Sequence, residues 1–202
     1  MTGRPTNKQR GLSMIELVVV VAIMMVVVAA GLPSFFNAVD TYRLRSTAND
    51  VASLMQRARM WAIKNNTYYP VRITTVTQNG VQYTQVYIDL DVDSVQDTGE
   101  RLIQLPKNFS LPSSGYPTMG SSTLGYTPQA QTVAMTFNGR GLPCVMNSNQ
   151  CTNFDSSGNV VGFVYFLKDT KSSGNSWAAI AASPAGRIKI WMWNSASSTW
   201  VY

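Results

Sequence analysis

Five carboxylates fall within the twelve residues "DLDVDSVQDTGE", Asp89 to Glu100. Counted from Asp89, they are Asp89, Asp91, Asp93, Asp97 and Glu100, at places 1, 3, 5, 9 and 12. That is the oxygen-ligand spacing of an EF-hand calcium loop. Carboxylates this dense repel one another without a cation, which favours a bound Ca2+. Two features oppose it. Ser94 stands at the sixth place, where the motif needs glycine for a sharp turn, and the flanks read as strands where an EF-hand has helices. The competing reading is a solvated acidic turn between two strands.

The only two cysteines, Cys144 and Cys151, enclose six residues in "CVMNSNQC". Outside the cytoplasm such a pair forms a structural disulfide, worth about 2–3 kcal/mol for so small a loop. Two thiols in a chain with no histidine do not make a four-ligand zinc site, and a redox-active pair needs a tighter spacing. In "GRIKIWMW", strand alternation puts Arg187 and Lys189 on one face with Trp191 and Trp193, and Ile188 and Ile190 on the other. Cations beside aromatic rings suit DNA, through phosphate contact and base stacking. The competing reading is a polar strand face with aromatics packed on the sheet. The absence of histidine also removes the commonest general base. No nucleophile–base pair and no glycine-rich phosphate loop after a strand can be drawn, so the chain is not expected to be an enzyme, and no cofactor is required.

One further carboxylate, Glu16, sits at the head of an apolar run. From Leu17 to Leu32 there are 16 residues with no charged or hydrogen-bonding side chain. With its flanks the run is long enough for a membrane-crossing helix, which needs about 20 residues. Arg4, Lys8 and Arg10 precede it and predict a cytoplasmic N-terminus. The charge of +6 is concentrated there; without those three, 13 Lys and Arg face 10 Asp and Glu, and the remainder is only mildly basic. A secretory signal peptide is the alternative, with Ala29-Ala30-Gly31 passing for its cleavage site. Glu16 is unusual in such a core. A carboxylate in lipid is costly and usually functional. A cut after Gly11 would give Leu12 a free amine one helical turn from Glu16, or within reach of a neighbouring copy's Glu16.

"GLSMIE" resembles the processing motif of type IV prepilins and type II secretion pseudopilins: Gly, an apolar residue, Ser or Thr, two apolar residues, Glu. The resemblance implies cleavage by a prepilin peptidase after Gly11, methylation of the new N-terminal Leu12, and Glu16 as the assembly glutamate. Leu12 stands where the family usually has Phe. The implied partners are the peptidase, other pilins or pseudopilins bound through the N-terminal helix, and an inner-membrane assembly platform. The implied location is the inner membrane, crossed once, with the C-terminal domain periplasmic, and then a filament.

The elements that position these residues form an α+β pattern. Residues 1–11 are the leader and 12–65 a helix, membrane-spanning in its first half and running on through Pro33, which kinks rather than ends it. Ala48, Val51, Met55, Ala58 and Ala62 recur at steps of three and four, an amphipathic stripe, and "KNN" at 64–66 marks its end. Residues 66–202 form a β-rich domain. "YYPVRITTVT" and "VQYTQVYIDL" flank Asn79-Gly80 and predict a hairpin. "RLIQL", "TVAMTF", "VVGFVYFL", "WAAIAA" and "RIKIWMW" supply further strands, the last two joined by a tight turn at 183–186. Residues 106–131 read as loop. A helix followed by such a domain, with "TFNGRGLPC" and "SPAGRIKI" within it, resembles the GspH/FimT group of minor pseudopilins and minor pilins. Some FimT-type members carry a Gly-Arg-x-Arg element implicated in DNA uptake; here it reads Gly186-Arg187-Ile188-Lys189, with Lys in place of the second Arg. The resemblance implies a minor pilin or pseudopilin of a type II secretion pseudopilus or type IV pilus, with a DNA-binding minor pilin or tip adhesin as the alternative.

Overall fold

The computed structural model describes residues 13–147, 150–171 and 176–202. Its elements are α+β, as the pattern predicts. Helix α1 runs from Met14 to Asn65 and Pro33 does not end it. It stops where Lys64 supplies a basic last turn and Asn66 turns left-handed at φ 46°. The chain divides into two units at Asp40 and Thr41. In the first, Met14–Leu32 is a 19-residue stretch long and apolar enough to cross a membrane, and none of it is buried.

The second unit, Thr41–Tyr202, is built on two antiparallel sheets. One has the order β3-β2-β1-β6-β7-β8, from β1 (Tyr69–Gln78), β2 (Val81–Ile88), β3 (Leu102–Gln104), β6 (Met135–Phe137), β7 (Pro143–Asn147) and β8 (Gln150–Thr152). The other has the order β12-β11-β10-β9-β4, from β4 (Phe109–Ser110), β9 (Gly162–Asp169), β10 (Trp177–Ala182), β11 (Ile188–Asn194) and β12 (Thr199–Val201). Short β5 (Pro128–Gln129) pairs parallel to β9. The predicted hairpin is present: β1 and β2 pair from Gln78↔Val81, and Asn79 and Gly80 carry the two positive φ values of a type I′ turn.

The core forms where the stripe of α1 meets the inner faces of both sheets. Ala48, Val51, Met55, Ala58 and Ala62 are fully buried, as the periodicity requires, against Val71, Val86, Phe137, Phe163 and Ile180. Tyr165 of β9 links the two sheets. Its hydroxyl donates to the Val71 carbonyl at 2.9 Å and accepts from the Met135 amide at 2.8 Å.

Residues 106–131, expected as loop, contain β4, β5 and the single turn α2 (Ser121–Leu124). Strands of two residues have no periodicity to detect. Part of this segment covers the outer face of the second sheet. Tyr116 stacks on Phe166 at 4.0 Å, Met119 is buried there, and Trp200 donates its indole N–H to the Thr118 carbonyl at 3.2 Å. Strands β9 and β10 are therefore covered on both faces, which explains why they read as unbroken apolar runs.

Candidate functional site

Gly11 and Leu12 lie outside the described residues. Glu16 is in the first turn of α1, exposed, at the head of an otherwise apolar segment. Its carboxylate stands at the positive end of the helix dipole, where negative charge is favoured.

The acidic loop has its own internal braces. Asp89 is fully buried and its Oδ2 receives the Arg72 guanidinium Nε at 2.5 Å. The same oxygen accepts from the Ser94 amide at 3.1 Å, and Oδ1 accepts from the Val92 amide at 2.7 Å. Glu100 closes the loop, accepting from Leu90 at 2.7 Å and Asp97 at 3.1 Å. Tyr87, at the base, donates to the Ser94 carbonyl at 3.0 Å. Burial, and then the Asp89 charge, push its phenol above the usual range. Of the five candidate calcium ligands, Asp89, Asp91 and Asp93 bring carboxylate oxygens within 4.8 Å of one another; Asp97 and Glu100 are not in that group among the described residues. Ser94, in the place of the motif's glycine, has φ 74°. The fit to a calcium loop is incomplete. Both oxygens of the first-place ligand are already engaged, and Arg72 neutralises Asp89 among the five. Arg72 was not singled out in the sequence; the available signal was an arginine on a β-branched strand whose hairpin partner leads into the acidic run.

The disulfide is present. Cys144 and Cys151 are joined with Cα atoms 5.4 Å apart, across the hairpin of β7 and β8, two strands missed in the sequence because Pro143 and a polar Asn-Ser-Asn-Gln run mask them.

The two glycine-bearing motifs form the same turn. In "FNGRGL" the Gly141 amide donates to the Asn138 carbonyl at 2.7 Å and the Asn138 amide to the Leu142 carbonyl at 3.0 Å. In "SPAGR" Gly186 donates to Ser183 at 2.7 Å and Ser183 to Arg187 at 2.9 Å. Each is a type I turn closed by a left-handed glycine in a bulge, at φ 73° and 76°. The turns meet on α1: Arg59 donates Nε to the Gly141 carbonyl at 2.9 Å, and a Cβ at Gly186 would strike that same carbonyl oxygen and the Arg59 guanidinium. These motifs therefore lock the end of α1 to both sheets. Arg59 was legible only as one of several charges flanking the stripe.

The basic strand alternates as expected. Ile188, Ile190 and Met192 pack on the main core, and Trp191 and Trp193 on the outer aromatic cluster. Arg187 is exposed. The Lys189 ammonium stands 4.7 Å from the Tyr202 ring and 5.9 Å from that of Trp191. Lys189 is thus held by cation–π contact on its own surface, which supports the packing reading of the aromatics and leaves Arg187 as the cation projecting to solvent.

No curated protein and no solved structure matches the chain. Two family models do. The prokaryotic N-terminal methylation motif matches residues 6–32, which contain Gly11, Leu12, Glu16 and the apolar helix. A second model matches residues 47–186, from the buried stripe of α1 through the second glycine turn, ending just before Arg187. An apolar single-pass anchor under a methylation motif, followed by this α+β domain, places the chain in the pilin and pseudopilin class. By the match that covers most of its length, the chain belongs to the type II transport protein GspH family.

Proposed function

We propose that this protein is a minor pseudopilin or minor pilin, made as an inner-membrane precursor with its N-terminus in the cytoplasm. A prepilin peptidase cuts it between Gly11 and Leu12, the new amine of Leu12 is methylated, and the subunit enters a type II secretion pseudopilus or type IV pilus with its β domain outward. One observation carries this reading: a 19-residue apolar helix, none of it buried, with a single carboxylate at its head. A bare apolar helix needs lipid or other helices around it, and a carboxylate there needs a cation. The amine of a neighbouring Leu12 would meet both needs at once, neutralising Glu16 and setting the axial register between stacked helices. The role is assembly rather than catalysis, with other pilins and the inner-membrane platform as partners.

Mass and N-terminal sequence of the protein recovered from membranes test it. A start at Leu12 with a methylated amine is expected. A start at Met1, or one just after Ala30 or Gly31, would refute filament entry. Glu16→Ala should leave processing intact and abolish incorporation. DNA binding is a second reading, favoured by one feature, the exposed Arg187 beside the Lys189–Tyr202 pair. It expects salt-dependent binding that Arg187→Ala removes.

A further inference from the structure

Strand β1 is covered along one side and only at its start on the other. β2 pairs with it from Val71 to Gln78, and β6 only from Tyr69 to Val71. Two bonds fix which way each residue points. The Asp89 amide, at the end of β2, donates to the Pro70 carbonyl at 2.9 Å. The Val71 carbonyl instead receives the Tyr165 hydroxyl, on the β6 side, at 2.9 Å. Backbone groups alternate along a strand, so those of Arg72 and Thr74 bond β2. The N–H and C=O groups of Ile73 and Thr75 face the β6 side, and among the described residues nothing receives them. The opening is made inside the domain. The Tyr165 hydroxyl stands between the Met135 amide and the Val71 carbonyl and wedges β6 away from β1. The chain ahead of β6 does not continue along β1; Val133 turns back to donate to the Ala130 carbonyl at 2.9 Å.

The uncovered edge borders a cavity of about 310 Å³, closed at one end by Tyr165 and the chain at Gln131, Thr132 and Ala134. A second cavity, of about 300 Å³, is lined by Thr75 and Lys107 and shares Ile73 and Leu111 with the first. The two follow β1 in line, and no carboxylate lines either. At the closed end stands Arg72. Only its Nε bonds Asp89; its two terminal nitrogens make no hydrogen bond among the described residues, and its side chain is 26% exposed. An open row of backbone donors and acceptors pairs with an extended chain. A chain antiparallel to β1 runs as β6 does, so it meets the Tyr165 wedge and has to end there, with its last carboxylate beside Arg72. A parallel chain would bring an ammonium to the same cation. Side chains opposite Ile73 and Thr75 share the face of Ile73, where Phe109 and Leu111 lie in the same core cluster, which favours apolar ones.

We propose that the edge of β1 at Ile73–Thr75 receives the free C-terminal end of another polypeptide, which adds a short strand to the first sheet antiparallel to β1. Its backbone bonds Ile73 and Thr75, its apolar last side chain sits against Ile73 and Leu111, and its terminal carboxylate meets the free nitrogens of Arg72. This does not depend on cleavage at Gly11 or on which filament is built.

The test uses the full chain in detergent micelles and an N-acetylated hexapeptide of alternating serine and valine that ends in valine with a free carboxylate, read by hydrogen exchange at single amides. Added peptide should slow exchange at Ile73 and Thr75 and leave Arg72 and Thr74, already bonded to β2, unchanged. The same peptide with its C-terminus amidated should bind about tenfold more weakly, because a charge-assisted hydrogen bond is lost. Thr75→Pro removes a donor that faces the open edge and none that faces β2, so it should abolish protection at Ile73. Arg72→Gln should erase the difference between the two peptides. That variant leaves Asp89 buried without its cation, so where it fails to fold the comparison of the two peptides on the unaltered protein decides. No protection at Ile73 and Thr75, or equal protection by the amidated peptide, overturns the proposal. So does protection produced by raised protein concentration alone, which assigns the edge to a second copy.

Discussion

Replacing Tyr165 by Phe removes one oxygen atom and should cost more than most surface changes in this domain. The ring is 1% exposed. Its hydroxyl reaches from β9 in one sheet to the Val71 carbonyl and the Met135 amide in the other, at 2.9 and 2.8 Å. Val71 and Met135 are the last pair of the β1–β6 ladder, so the hydroxyl takes over where that ladder stops. Without it, one backbone donor loses its partner and one acceptor loses a bond, in a dry interior. Each unsatisfied group costs about 1–3 kcal/mol, and some relaxation is available, so a loss of about 2–4 kcal/mol is expected. In a domain of this size each kcal/mol moves Tm by about 2–4 °C, which gives a fall of about 5–15 °C. The assay is thermal unfolding followed by near-ultraviolet circular dichroism. Tyr126→Phe is the control, because its bond to the Phe163 carbonyl is long at 3.4 Å and its loss should cost under about 1 kcal/mol. Burial also raises the Tyr165 phenol above its ordinary value of 10.0. The unfolded chain then ionises first, so wild-type stability falls as pH rises through about 10, and less steeply in Tyr165→Phe. A Tyr165→Phe variant within about 0.5 kcal/mol of wild type would show that the two backbone groups find other partners and that the hydroxyl does not join the sheets.

Gly186→Ala and Gly80→Ala share one cost, about 1–2 kcal/mol for a side chain in left-handed backbone. Only Gly186 also has a neighbouring carbonyl in the way, while Gly80 has open space. The Gly186 variant should therefore melt well below the Gly80 variant, and equal melting would remove the close approach of the two turns as a constraint. Calcium at millimolar concentration should leave Tm unchanged in wild type, because Arg72 already neutralises Asp89; a calcium-dependent rise would mean that the ion displaces the guanidinium. The Asp155 carboxyl is held below the usual carboxylate range, first by the Asn159 amide and also by that of Ser157. Its contribution is present above the unfolded value and lost as pH falls through the lowered one, so Asp155→Ala should flatten the acid limb of a stability–pH curve.

Long elements with a clear period were legible in the sequence. The stripe from Ala48 to Ala62 has one solution, because only a helix brings those small residues together. Asn79-Gly80 dictates its turn type by itself. Strands β7, β8 and β12 were not legible, because three to five residues beside proline or polar runs carry no pattern. Each pairs with a strand next to it in the chain, β7 with β6, β8 with β7 and β12 with β11, and the disulfide clamps the β7–β8 hairpin. The same holds at the candidate sites. Glu16 stood out because sixteen residues without a polar side chain follow it. Arg72 and Arg59 did not, because an arginine's role depends on which carboxylate or carbonyl the fold delivers to it, 17 and 82 residues away. The acidic loop shows the converse: ligand spacing alone could not foresee that backbone amides and Arg72 would occupy the first ligand's oxygens.

The buried stripe of α1 also has a mechanical consequence. A pull applied along the part of α1 that lies in the second unit loads its contacts with the sheets. From Ala48 to Ala62 the helix lies along the sheets for about 21 Å at 1.5 Å per residue, and Arg59 ties it to the Gly141 turn near its far end. Tension along that axis loads these contacts in parallel, as shear, so that they share the force and must yield together. A load applied across the helix would instead open them one by one. The second unit is thus strongest against a load along the axis of its part of α1.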